Sequence, residues 1–109
     1  MKKTYYNKLV RDKIPDIIAG QGKPCGIRLM TDAEYLDALN AKLDEELAEY
    51  HQSGSVEELA DILEVVYSIA VAKNCTPGKL DRIADDKAKE RGRFNRKIML
   101  EYVEEEEDG

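Results

Sequence analysis

Apolar residues fall along this chain in two distinct helical patterns. Leu36, Leu39, Leu43, Leu47 and Tyr50 recur at three- and four-residue steps, the spacing that gathers side chains on one face of an α-helix. Thr31 precedes the run and Glu34 stands three residues later, the arrangement of a capping box. The pattern predicts an amphipathic helix from Thr31 to about Gln52, broken at Ser53 and Gly54. Ser55 caps a second helix, with Glu58 three residues on, running to about Asn74. Its apolar residues, from Val56 to Val71, cover most of the circumference and leave a narrow polar seam of Asp61, Glu64 and Ser68. A helix of that kind is buried on several sides. In a short chain, other subunits are expected to cover part of it.

Weaker signals flank this pair. Pro15 opens a short helix that Gly20 and Gly22 can close. Residues 26–30 have weak strand character but are too few to build a sheet alone. Thr76 and Pro77 open a third helix through Leu80, Ile83, Ala84 and Lys87 to Arg91, and Gly92 ends it. A last segment runs from Arg93 through Ile98 and Leu100 to Val103. Short turns make consecutive helices antiparallel neighbours. The expected fold is therefore all-α: an antiparallel helical hairpin core with an added helix and helical ends, assembled at least as a homodimer.

Composition sharpens this picture. The 109 residues suffice for one domain, read as residues 1–103 followed by an acidic tail, 104–109. With 42% apolar and 37% charged residues, the chain reads as soluble and globular. Residues 104–108 carry five negative charges of a net −6, leaving the remainder at −1. Such a run reads as a solvated, frayed end. No basic stripe with interleaved aromatics argues for a nucleic-acid polymer as partner. Cys25 and Cys75 are isolated and fit reduced thiols better than a disulfide framework. No apolar segment follows Lys2 and Lys3 as in a signal peptide, and none approaches membrane-spanning length. A cytoplasmic protein without a membrane partner is expected.

The chemistry sits on either side of the predicted turn. Glu45, Glu46 and Glu49 precede it, and Glu57, Glu58 and Asp61 follow it. Residues three apart share a helix face, so Glu46 pairs with Glu49 and Glu58 with Asp61. Glu46 borders the leucine stripe, and Asp61 interrupts an otherwise apolar helix. Antiparallel packing lets the two pairs converge. Carboxylates brought together repel, and a bound cation reverses that balance. An all-oxygen ligand set favours a hard ion such as magnesium, which can polarise a phosphoryl oxygen. The same acids also read as ordinary solvated helix faces, and Glu58 reads as the second half of a capping box with Ser55.

EExxE, here Glu45-Glu46-Leu47-Ala48-Glu49, followed by ExxD, here Glu58-Leu59-Ala60-Asp61, resembles the signature of the all-α nucleoside triphosphate pyrophosphohydrolases. That superfamily includes the MazG-like proteins, the dimeric dUTPases and the phosphoribosyl-ATP pyrophosphohydrolases. The opening YNKLVRDKIPDII, the phrase EELADILEVV and the closing KERGRF look like one MazG-like or phosphoribosyl-ATP pyrophosphohydrolase-like subgroup. The resemblance spans nearly the whole chain. It implies that Glu46, Glu49, Glu58 and Asp61 bind Mg2+ and that Glu45 is a further ligand or a base orienting the water. It also implies hydrolysis between the α- and β-phosphates of a nucleotide, giving a nucleoside monophosphate and pyrophosphate in nucleotide-pool house-cleaning. The gap between the two acidic motifs is shorter than in the larger MazG-like pattern.

Phosphates call for cations. Lys87 and Arg91 share a face of the third helix, Arg93 follows Gly92, and Lys8, Arg11 and Lys13 form a second basic cluster near Tyr5 and Tyr6. Lys87, Arg91, Arg93, Lys8 and Arg11 are thus candidate substrate contacts, against the plainer reading of solvated surface charge. His51, the only histidine, is expected at the surface, and one histidine cannot supply the two ExxH motifs of a ferritin-like di-iron site. Two alternatives stay open: a phosphoribosyl-ATP pyrophosphohydrolase of histidine biosynthesis, and a non-catalytic helical interaction module.

Overall fold

In the computed structural model, which describes residues 2–108, four helices follow one another without a strand among the described residues. They are α1 (Ile14–Gly20), α2 (Asp32–Ser53), α3 (Val56–Ala72) and α4 (Pro77–Arg91). The chain is all-helical in its regular structure, as its periodicity predicts.

Local chemistry explains the boundaries. The Thr31 hydroxyl accepts from Glu34 N at 3.3 Å, and the Glu34 carboxylate accepts from Thr31 N at 3.2 Å, closing the capping box at the start of α2. At the other end Gly54 takes φ 65° and ψ 15°, a left-handed conformation that costs glycine little. Only Gly54 and Ser55 separate α2 from α3, so the two helices must fold back antiparallel. Thr76 caps α4 by accepting from Lys79 N at 3.1 Å. The Tyr67 hydroxyl of α3 donates to Asp81 of α4 at 2.7 Å and ties the third helix to the hairpin.

The core lies between α2 and α3. Leu39 is 3% exposed, and Val65 and Ala70 are also buried. Leu39 belongs to the predicted leucine stripe of α2, and Val65 projects from the side of α3 that meets it. No helix among the described residues is long and apolar enough to cross a membrane.

Two expectations change. Residues 26–30 lie in coil and pair with nothing as a strand. The segment after Gly92, expected to continue as helix, forms a turn near Phe94 and then runs without regular structure to residue 108. Lys97 there has φ 60°, outside helical space. A helix through residues 93–103 would also end against the acidic run, where negative charge opposes the helix dipole.

Candidate metal centre

The α2–α3 hairpin brings acids from both its arms to one place. Glu46 of α2 and Glu58 and Asp61 of α3 each offer a carboxylate oxygen, and the three oxygens lie within 4.8 Å of one another. Glu46 is only 7% exposed, and Glu58 and Asp61 are half-buried. Glu46 Oε2 and Glu58 Oε2 are both shielded from water and lack a hydrogen-bond partner. Buried carboxylate oxygens are normally satisfied, and together with Asp61 these two form an all-oxygen donor set of the kind a hard cation takes.

The α3 cap leaves Glu58 free for this role. Ser55 Oγ accepts from Glu58 N at 3.3 Å, but Ser55 N donates to Ser53 Oγ at 3.2 Å instead of to the Glu58 carboxylate. The capping box anticipated there is therefore only half made, because Ser53 already satisfies the donor that Glu58 would have served. The Glu58 carboxyl turns toward Glu46.

Glu58 carries the electrostatic cost. Its pKa is pushed up to about 7, first by desolvation, then by the approach of the Glu46 carboxyl, then by the charges of Glu49, Glu46 and Asp61. In the metal-free protein the folded state thus holds this proton up to about pH 7, whereas the unfolded chain releases it near 4.5. Between these values the folded state binds more protons, so stability falls as pH rises through the window. We predict that melting temperatures in EDTA decline from about pH 5 to about pH 7, and that Glu58→Gln flattens this slope. Circular dichroism melts across the range check it; an unchanged slope in the variant would refute the assignment.

Cations already surround the acids. Arg11, in the N-terminal strap of residues 2–13, donates through Nη2 to Asp61 Oδ1 at 2.8 Å. Lys42 lies 3.4 Å from Glu46 and 3.5 Å from Glu45, and Lys8 lies 3.8 Å from Glu45. Asn7 takes φ 45°, a left-handed conformation asparagine tolerates, one residue before Lys8. This gives Asn7, a residue with no evident chemistry in the sequence, a part in turning the strap. Between strap and hairpin lies a cleft of about 380 Å³, walled by residues 9–13 on one side and by Tyr35, Lys42, Glu46, Asp61 and Ser68 on the other. Glu46 and Asp61 line this space, and Glu58 does not.

The remaining candidates fall elsewhere. Glu49 is exposed and stands outside the three-acid group, although its charge reaches Glu58. Glu45 turns toward Lys8 and Lys42 and lines a second, smaller cleft. Lys87 and Arg91 are exposed on α4 and line neither cleft. Arg93 pairs with Asp85 at 3.5 Å. His51 is exposed beside Tyr50. Lys42 was not anticipated, although its position three and four residues before Glu45 and Glu46 is the signal that reveals it. Tyr35 and Ser68 carry no such signal as cleft residues, because the strap that makes the cleft comes from elsewhere in the chain.

Comparison with known proteins adds little. No protein-family model matches the chain, and no solved structure matches it. An uncharacterized protein of Mycolicibacterium smegmatis (strain ATCC 700084 / mc(2)155) is 55% identical over 42 residues, 38% of this chain and 43% of that protein. The match thus spans less than half of the length of either.

Proposed function

We propose that this chain is a magnesium-dependent nucleotide pyrophosphohydrolase, cleaving between the α- and β-phosphates to give a nucleoside monophosphate and pyrophosphate. The observation that carries the reading is the pair of buried, unpartnered oxygens on Glu46 and Glu58, with Asp61 beside them. The EExxE and ExxD phrases and their resemblance to the all-α pyrophosphohydrolases support it.

Glu46, Glu58 and Asp61 would hold the ion, and Glu49, whose charge already reaches Glu58, joins them with a change of rotamer. Bound there, Mg2+ supplies Lewis-acid polarisation of phosphoryl oxygens and neutralises charge on the leaving pyrophosphate. Arg11 serves as counter-charge to Asp61 in the metal-free protein, and its guanidinium is placed to turn to a phosphate in the cleft. Lys42 keeps a positive charge on the α2 side of the same space. The resemblance gives Glu45 the part of proton acceptor from the attacking water, which requires it to leave Lys8, Lys42 and the second cleft and turn toward the three acids. Tyr35 and Ser68 offer a face and a hydroxyl for the nucleoside. Glu45, Glu46 and Arg11 thus have separate tasks: proton acceptor, ion ligand and phosphate contact. The cellular purpose in this reading is removal of non-standard or surplus nucleotides in the cytoplasm.

Pyrophosphate release from a panel of canonical and modified nucleoside triphosphates and phosphoribosyl-ATP, with Mg2+ and with EDTA, tests the proposal. Magnesium-dependent release is expected from at least one of them, and the panel ranks the substrates. No release from any, together with no Mg2+ binding by titration, overturns the enzymatic reading in favour of a helical binding module.

A further inference from the structure

The strap of residues 2–13 is attached to the hairpin by few contacts, and the shortest of them uses an acid of the metal centre. The backbone of residues 2–10 makes no hydrogen bond to other backbone among the described residues. Leu9 is the one half-buried side chain in that stretch, and it lines both clefts. Two ion pairs hold the rest: Lys8 to Glu45 at 3.8 Å and Arg11 to Asp61 at 2.8 Å. Both are open to water, with the Arg11 side chain 58% exposed, and exposed ion pairs are weak and readily screened. A segment held in this way lies at the low end of local stability.

Asp61 serves two partners. Its Oδ1 accepts from the Arg11 guanidinium, and its carboxylate also belongs with Glu46 and Glu58 to the three-acid group. A divalent cation on that group puts two positive charges beside the guanidinium, and like charges repel. The ion also takes up the negative charge that holds Arg11 in place. Lys42 meets the same ion from a fixed position on α2, four residues before Glu46. Arg11 sits instead on a segment without regular structure, so it is the cation that can leave.

We infer that the strap is a metal-released latch: a divalent cation on Glu46, Glu58 and Asp61 displaces Arg11 from Asp61, and the strap then leaves the hairpin and opens the cleft it walls. The inference rests on the metal-centre part of the reading above and not on the hydrolase activity. Residues 9–13 form one wall of the cleft, and Glu46 and Asp61 stand on the wall opposite. Release of the strap therefore uncovers these two acids and frees the Arg11 guanidinium for an anionic ligand. Coupling between two binding events is reciprocal. If the ion loosens the strap, the docked strap weakens the ion by the same factor, so removing Arg11 tightens metal binding.

Two measurements on the full chain, both at constant ionic strength, test the latch. Heteronuclear NOE values of residues 5–11 report strap order, and they are expected to fall when Mg2+ saturates the wild type. Arg11→Gln is expected to show the low values before any Mg2+ is added, and Glu46→Gln to keep the high values at the same Mg2+ concentration. Calorimetric titration is expected to give Arg11→Gln a Mg2+ affinity on the order of tenfold above the wild type, within the usual range of coupling between sites. Lys13→Gln removes a charge from the same wall of the cleft without touching Asp61, and it is expected to change the affinity by less than about twofold. Circular dichroism confirms that helix content is unchanged in each variant. A wild type that binds Mg2+ through Glu46 while its strap stays ordered overturns the latch and leaves the metal centre standing. So does an Arg11→Gln affinity equal to that of the wild type or matched by Lys13→Gln. No Mg2+ binding, or binding that Glu46→Gln leaves intact, overturns the metal centre and the latch with it.

Discussion

Glu46→Gln is expected to abolish magnesium-dependent pyrophosphate release while raising the melting temperature of the metal-free protein. The two effects have one cause. Glu46 is the most buried of the three acids, and its Oε2 has no partner. In the proposed reading that oxygen would be a Mg2+ ligand; without the ion, desolvation raises the pKa of Glu58 and the approach of Glu46 adds to it. An amide is nearly isosteric, carries no charge and can donate to the Glu58 carboxylate. Lys42 loses its 3.4 Å partner but keeps Glu45 at 3.5 Å, so no new unpaired cation results. Loss of a residue outside the ligand shell typically costs 10–100-fold in metal-dependent function. Loss of a ligand is expected to cost at least about a thousandfold, a barrier increase of roughly 4 kcal/mol. Asp61→Asn separates the terms differently. It removes an equivalent fraction of activity, but it strips Arg11 of its 2.8 Å carboxylate and brings no gain in stability. Steady-state pyrophosphate release and melts in EDTA measure both quantities on the same samples. If Glu46→Gln retains wild-type activity, the three acids are not the metal centre of the reaction.

These contrasts show how much the sequence discloses. The hairpin is legible because its signals are local: leucines at helical spacing, Thr31 and Ser55 before the two helices, and Gly54 at the bend. The convergence of Glu46, Glu58 and Asp61 follows from the same local facts, since a two-residue connection between helices with facing apolar stripes folds α2 back on α3. Arg11 on Asp61 is a contact across fifty positions, and it depends on where a strap without regular structure settles. Periodicity carries no information about that placement, so Arg11 reads from sequence as one basic residue among several. The pair Lys87 and Arg91 shows the converse: they share a helix face, yet that face lines neither cleft. The segment after Gly92 misleads for a third reason. Its apolar residues suit a helix as well as an extended arm, and the choice between them turns on what covers them.

Leu39→Ala is expected to cost about 3 kcal/mol, within the 2–5 kcal/mol typical of a buried leucine cut to alanine. Few side chains are fully buried here, and Leu39 is the most buried of them at 3% exposure. It is the residue of α2 that fills the space against α3. For a domain whose whole stability is of order 5–15 kcal/mol, this is a large fraction. Leu29, also a leucine but 92% exposed, supplies the control: Leu29→Ala is expected to change stability by less than about 0.5 kcal/mol. Urea denaturation of the two variants checks the difference. The same pair tests the metal centre from another side. A ligand that binds only the folded state adds stability by mass action, by about 2.7 kcal/mol at a hundredfold excess over its dissociation constant. Saturating Mg2+ is therefore expected to recover most of what Leu39→Ala loses, and to recover nothing in Leu39→Ala combined with Glu46→Gln. Recovery that survives the loss of Glu46 would place the ion somewhere other than these three carboxylates.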